Sequence, residues 1–126
     1  VQARRHDDWA AEIDHWRNGK ANAWVKEDCK YETLRERMYA LIDGCDAAVV
    51  MPGGVGTLAE LAVTWNELII NGKSRRPLIL VGLDWQKLIS HLFDTFGGFI
   101  PLKDRELLHI VPDVETAAEF LNPTLP

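Results

Sequence analysis

The chain has 126 residues, of which 47% are hydrophobic and 26% are charged, the composition of one ordinary globular domain. Its net charge of -5 argues against nucleic acid as the main partner, because phosphate backbones bind basic surfaces. Its apolar runs are far shorter than the ~20 residues that span a bilayer, and its first residues lack the apolar core of a signal peptide. We therefore expect a cytoplasmic protein without a membrane segment.

The first half of the chain alternates helical and extended patterns. Apolar residues spaced three and four apart predict helices over residues 7–18 and 29–43, with a short extended segment at residues 22–25. The apolar run of residues 46–51 predicts a strand covered on both faces, which Pro52-Gly53-Gly54 ends. A third helix is predicted from Thr57 to Asn71, and its broad apolar face indicates that it is well buried.

The second half continues the alternation after a basic turn at residues 73–76. Strands are predicted at residues 78–83 and 107–111, and helices at residues 85–96 and 114–121, with Asp84 as the N-cap of the first of these helices. The pattern predicts an α/β domain of three layers, with a Rossmann-like parallel sheet flanked by helices. Three strands leave an edge of the sheet bare unless further sequence or a partner subunit covers it.

A glycine-rich turn joins the first predicted strand to the third helix. It contains Gly53, Gly54, Gly56 and Thr57. Glycine allows positive φ and lets a ligand approach the backbone, while the first N–H groups of the helix and its dipole attract an anion. We therefore predict that the turn seats the phosphate of a nucleotide, with a tight structural turn as the alternative.

The same turn fits a second pattern. Gly54 to Ala59 reads G-x-G-x-x-A, the dinucleotide fingerprint, and Asp84 ends the next strand where an acid that binds ribose would lie. Against NAD, Glu60 is expected in the first turn of the helix, where its carboxylate would disfavour a pyrophosphate. An NAD-linked oxidoreductase module stays an alternative.

The segment from Pro52 to Glu60 reads PGGxGTxxE and resembles the signature of the LOG (LONELY GUY) family. This family comprises cytokinin-activating phosphoribohydrolases and bacterial relatives, many of them labelled lysine decarboxylases. The family pairs the motif with an arginine on the preceding helix, and Arg37 stands in that position. The resemblance covers about residues 22 to 121 and includes residues 64–66, 76–82, 98–101 and 104–108.

The resemblance implies hydrolysis of the N-glycosidic bond of a nucleoside 5′-monophosphate, AMP or cytokinin-type, with Glu60 and Arg37 as the catalytic residues. Gly53, Gly54, Gly56 and Thr57 would bind the phosphate, without a metal or organic cofactor. The family implies a homodimer, and the buried character expected of the helices around Arg37 and Trp65 suits a helix-mediated interface. Residues 1–126 would form a single LOG-like domain without the family's N-terminal strand and glycine loop. That difference favours, as an alternative, a domain that binds or senses nucleotides without catalysis.

Overall fold

The computed structural model describes residues 26, 29, 31–71 and 76–122. The predicted helix at residues 7–18, the extended segment at 22–25 and most of the basic turn at 73–76 lie outside the described residues. The described elements, in chain order, are α1 (Leu34–Asp43), β1 (Ala48–Val50), α2 (Val55–Asn71), β2 (Leu78–Val81), α3 (Leu83–Phe96), a 3₁₀ turn (Gly97–Phe99), α4 (Leu102–Arg105), β3 (Leu108–Val111) and α5 (Val114–Leu121).

The three strands form a parallel sheet in the order β1-β2-β3. The central strand β2 is the most protected part of the molecule, since the side chains of Leu78, Ile79 and Leu80 are fully buried. Each strand leads to the next through helices, which is the connection that parallel strands require. The predicted parallel sheet is therefore confirmed.

Helices cover both faces of this sheet. On one face, Leu61 of α2 and Trp85 and Ile89 of α3 pack against Leu78 and Leu80. On the other face, α5 packs against the alternate residues of β2 and β3 through Ala117. The predicted three-layer α/β, Rossmann-like architecture is confirmed. None of the helices in the described part of the chain has the length and apolar character needed to cross a bilayer.

Burial around β1 differs from the prediction. The strand pairs with β2 alone, and Val49 on its second face is 42% exposed, so the expectation of a strand covered on both faces is wrong. The physical reason is that α5, which covers this face, packs on β2 and β3. The bare sheet edge expected from three strands is present at β1 within the described residues.

The two helices that flank β1 in the chain are also less buried than predicted. In α2 only Leu61 is buried, while Leu58 and Ile69 of the same apolar face are exposed. No residue of α1 is buried. A broad apolar face indicates that a helix packs against other elements. How deeply the helix is buried depends on how many elements cover it, and the described part of the chain contains few that cover α1 and α2.

Local hydrogen bonds explain where two helices begin. Helix α1 starts at Leu34 rather than near Cys29 because Thr33 forms a capping box: its hydroxyl accepts from the Glu36 N–H (3.1 Å), and the Glu36 carboxylate accepts from the Thr33 N–H (3.3 Å). Helix α3 starts at Leu83 with Gly82 as its N-cap. The prediction of Asp84 as the N-cap is therefore wrong, and Asp84 lies inside the first turn of the helix.

The connection between α3 and β3 contains the 3₁₀ turn and α4, neither of which was predicted. Arg105 organises this segment by donating from Nε to the Ile100 carbonyl (2.9 Å) and from Nη2 to the Gly97 carbonyl (2.7 Å). The indole N–H of Trp65 donates to the Asp104 carbonyl (2.8 Å) and links the segment to α2. These bonds satisfy carbonyl groups that a connection without regular structure would leave unpaired.

Candidate functional site

The glycine-rich turn lies at the carboxyl end of β1, directly before α2, as predicted. The Leu58 N–H donates to the Gly54 carbonyl (3.0 Å), so Gly54 occupies the N-cap position of a helix of 17 residues. The N–H groups of the next three residues belong to the first turn, where a helix has no internal acceptor for them. Together with the helix dipole, these exposed donors form a seat suited to an anion.

Of the two reasons predicted for glycine in this turn, positive φ is wrong for Gly53, Gly54 and Gly56. Gly82 is the residue with positive φ in the described part of the chain, and Gly53, Gly54 and Gly56 all have ordinary φ values. At Gly53 the constraint is steric, because a Cβ there would lie 2.8 Å from the Cβ of Thr57. At Gly54 and Gly56 a Cβ would meet no atom within 4 Å. Glycine at these two positions leaves open space in front of the helix terminus.

Glu60 lies in the second turn of α2 rather than the first, because the helix begins two residues before Thr57. The expectation that Glu60 lies in the first turn, where its carboxylate would disfavour a pyrophosphate, is therefore wrong. The residue is half-buried, and its backbone carbonyl accepts from the Thr64 hydroxyl (2.7 Å). Among the described residues, its carboxylate has no hydrogen-bond or ion-pair partner, so a half-buried acid is available for chemistry.

Arg37 lies on α1 and is half-buried. The end of α1 and part of α2 line one groove of about 480 Å³ that includes Ile42, Thr64 and Glu67. Glu60 precedes Thr64 by four residues and Glu67 by seven, which puts it on the same side of α2. Neither Glu60 nor Arg37 lines the groove, and no hydrogen bond or ion pair among the described residues joins these two candidate catalytic residues.

A second, shallower cleft of about 370 Å³ adjoins the turn on the side of α3. It is lined by Pro52, Gly53, Asp84, Trp85 and Leu88. Trp85 is 5% exposed, and its indole N–H has no hydrogen-bond partner. The sequence pattern did not single out this tryptophan. Its place directly after Asp84, shortly beyond the end of β2, was the available signal that it adjoins the turn.

The described residues contain no group of three or more His, Cys, Asp or Glu side chains that could hold a metal ion. Neither Cys29 nor Cys45 forms a disulfide. The chemical groups at the turn and in the helical turn after it are therefore backbone N–H groups, the Thr57 hydroxyl and the Glu60 carboxylate. These groups suit the binding of a phosphate ester and reactions in which a carboxylate stabilises positive charge.

Comparison with known proteins gives a family and two named relatives. The model of the family described as "Possible lysine decarboxylase" matches residues 10–121. A cytokinin riboside 5′-monophosphate phosphoribohydrolase of Mycobacterium tuberculosis is 31% identical over 99 residues, which cover 74% of this chain and 51% of the relative. The enzyme of the same name from Mycobacterium marinum is 31% identical over 98 residues, covering 73% and 50%. The chain thus spans about half the length of the relatives it matches.

Proposed function

The chain belongs to the LOG family, whose model is described as "Possible lysine decarboxylase", and from that premise we propose that it hydrolyses nucleoside 5′-monophosphates. The bond broken is the N-glycosidic bond, and the products are the free base and ribose 5-phosphate. The observation that carries this proposal is the segment from Pro52 to Glu60. It combines an exposed helix terminus with a carboxylate in the next helical turn that has no partner among the described residues.

The phosphate binds at the start of α2. The exposed N–H groups there provide donors, and Thr57 adds a hydroxyl in the same turn. The absence of side chains at Gly54 and Gly56 lets phosphate oxygens approach the backbone. One phosphate group matches the few donors that a single helix terminus offers.

Glu60 and Arg37 act on the ribose. As the base departs with the electrons of the C1′–N bond, positive charge develops on the sugar, and the Glu60 carboxylate stabilises it. A water molecule then bonds to C1′, and its proton goes to the carboxylate or to the departing base. Arg37 holds the phosphate or ribose through charge-assisted hydrogen bonds. The match of both residues to the family's pattern, Glu60 in PGGxGTxxE and Arg37 on the preceding helix, supports this division of roles.

The substrate is AMP or an adenine nucleotide of the cytokinin type. The names of the two mycobacterial relatives, both cytokinin riboside 5′-monophosphate phosphoribohydrolases, support this substrate class. Hydrolysis by these groups needs no metal or organic cofactor. Neither Cys29 nor Cys45 forms a disulfide, which is compatible with a reducing compartment, and we assign the activity to the cytoplasm.

We also propose that the protein acts as a homodimer. Helix α1 presents Leu34 (69% exposed) and Leu41 (45% exposed), seven residues apart on one face, with Tyr31 exposed just before the helix. A second copy that packed on this face would bury these apolar side chains. Light scattering of the purified chain should therefore give twice the mass of one chain.

A specific observation keeps the NAD-linked module as a second candidate. Asp84 follows β2 and lines the shallow cleft together with Gly53, where an acid that binds the ribose of a dinucleotide would lie. The two candidates differ in ligand preference. The hydrolase binds AMP more tightly than NAD, whereas a dinucleotide module binds NAD at least as tightly as AMP.

The test is chromatographic detection of free base after incubation with AMP or isopentenyl-AMP, combined with calorimetric binding of AMP and NAD. Base release that is lost in Glu60→Gln supports the hydrolase. Binding of AMP without release, unaffected by Glu60→Gln, indicates instead a nucleotide-binding or sensing domain. Preferential binding of NAD without release supports the oxidoreductase module.

A further inference from the structure

A long-range hydrogen bond connects the end of α1 to the start of β2. The Arg76 guanidinium donates from Nη1 to the carbonyl oxygen of Ile42 at 2.5 Å, across 34 positions of the chain. The last carbonyl groups of a helix have no internal donors and carry partial negative charge. Because the last turn of α1 contains no basic residue, Arg76 supplies the positive charge that the helix itself lacks.

The same carbonyl oxygen has a second donor, the thiol of Cys45, at 3.2 Å. Arg76 and Cys45 both line the groove between α1 and α2, together with Ile42. The Ile42 carbonyl at the end of α1 thus accepts two hydrogen bonds, one from Arg76 just before β2 and one from Cys45 just after the helix.

Arg76 is well placed to be the fixed end of this connection. It immediately precedes Pro77, whose carbonyl accepts from the Ala48 N–H of β1 (2.9 Å). Leu78, the next residue, begins the fully buried part of β2. The backbone of Arg76 is therefore held by the most rigid part of the sheet.

Helix α1, in contrast, has little packing against the described part of the chain. None of its residues is buried, so apolar contacts alone fix its orientation weakly. It carries Arg37, which lies five residues, or about 7.5 Å along the helix axis, from Ile42. A change in the tilt of α1 about its last turn therefore displaces the Arg37 side chain.

We propose that Arg76 is a positioning residue for Arg37: its bond to the Ile42 carbonyl fixes α1 against β2 and thereby holds the Arg37 guanidinium at the nucleotide. This inference rests on the proposed function, because it assigns Arg76 a role only through Arg37. Arg76 itself lies near the amino ends of β1 and β2, at the opposite end of the sheet from the glycine-rich turn.

The test is a double-mutant cycle of Arg76→Ala and Arg37→Ala, with Arg76→Lys as the conservative variant and the exposed Lys87→Ala as a surface-charge control. For base release from AMP, Arg76→Ala lowers kcat/KM about tenfold in the wild-type background, the scale of one lost hydrogen bond to a charged group. In the Arg37→Ala background it causes no further loss, because the residue it positions is already absent. Arg76→Lys keeps a charged donor and recovers most of the activity.

Amide hydrogen exchange supplies a readout that does not depend on catalysis. Arg76→Ala speeds exchange in residues 34–43 about tenfold and leaves residues 78–81 unchanged, while Lys87→Ala changes neither segment. Arg76→Lys restores protection of residues 34–43. If the alanine variant does not fold, exchange in the lysine variant still tests the proposal. Unchanged exchange in residues 34–43 overturns the proposal.

Failure of the proposed function gives a different result from failure of this inference. If the wild-type chain releases no base, the hydrolase assignment fails, and the same cycle is measured on AMP affinity. An equal loss from Arg76→Ala in both backgrounds, in either measurement, contradicts a role through Arg37 and overturns the positioning assignment. Loss confined to the background that contains Arg37, together with faster exchange in α1, establishes it.

Discussion

The side chain of Thr57 occupies the space beside Gly53, so that a Cβ on residue 53 would lie 2.8 Å from the Thr57 Cβ. Rotation of the threonine about χ1 cannot relieve this contact, because the Cβ does not move with that rotation. The first turn of α2 therefore packs directly against the backbone that follows β1. This close approach links the shape of the glycine-rich turn to the missing side chain of Gly53.

Gly53→Ala should destabilise the protein, because either Thr57 or the start of α2 has to move. We expect a loss of about 1–3 kcal/mol, the range for inserting a methyl group into a packed site. Gly56→Ala is the matched control: its added Cβ meets no atom within 4 Å, so stability should be unchanged or slightly higher. Urea denaturation of the two variants measures both effects, and equal stability of both would contradict this steric account.

The same pair of variants distinguishes a phosphate seat from a structural turn. Gly56→Ala should weaken AMP binding even though it folds normally, because its Cβ projects into the space assigned to the phosphate. Calorimetric titration measures the affinity. If Gly56→Ala binds AMP as tightly as the wild type, the phosphate does not bind there.

Gly82→Ala should be more damaging than an alanine at another loop glycine. Gly82 has φ 113° and ψ 154°, a conformation nearly restricted to glycine, and its N–H donates to the Val111 carbonyl (2.8 Å). Strain of this kind costs about 1–3 kcal/mol. Gly98→Ala is the control, since Gly98 has ordinary φ and open space around it. A Gly82→Ala variant as stable as Gly98→Ala would contradict the assignment of strain.

The cap of α5 predicts a pH dependence of stability. The Thr116 hydroxyl (2.6 Å) and the Thr116 N–H (2.8 Å) both donate to the Asp113 carboxylate and lower the pKa of Asp113. Since the pKa is lower in the folded state, this contribution to stability is complete above the unfolded pKa of about 3.9 and is lost as the pH falls through the folded value. Asp113→Asn should remove it.

Thermal melts of the wild type and Asp113→Asn, followed by circular dichroism from about pH 7 to about pH 3, measure this effect. The wild type should have the higher melting temperature at neutral pH, and the difference should shrink at the acid end. Glu119→Gln, an exposed change on the same helix, is the control. A difference that stays constant over the whole range would contradict the role of Asp113 ionisation.

Sequence reasoning succeeded where structure depends on neighbouring residues. The bounds of α5 were predicted correctly, because Asp113 caps a short helix with a clear apolar face. The start of α1 was predictable in the same way: the Thr33-x-x-Glu36 spacing is a capping-box signature, and it would have corrected the helix boundary. The glycine-rich turn was located correctly because an apolar strand and a helix flank it.

The errors concern properties that depend on residues distant in the chain. The exposure of Val49 follows from where α5 packs, about 65 residues later in the chain, and the fold of residues 97–105 follows from the bonds of Arg105 to carbonyl groups. In the candidate site, the segment from Pro52 to Glu60 could be identified from its residues alone. The bond between Arg76 and Ile42 could not, because no local pattern connects positions 34 apart.

The most direct test of the central claim is chromatographic measurement of adenine and ribose 5-phosphate formed from AMP by the wild type, Glu60→Gln and Glu67→Gln. Glu67 is the matched control, because it lies on the same side of α2 and its carboxylate accepts from Asn71. We predict equal amounts of the two products from the wild type and from Glu67→Gln. In Glu60→Gln, kcat should fall by about 10²–10⁴-fold, with little change in AMP affinity. Product formation by Glu60→Gln at the wild-type rate, or no release by folded wild-type protein that binds AMP, would contradict the assignment of this site as a phosphoribohydrolase.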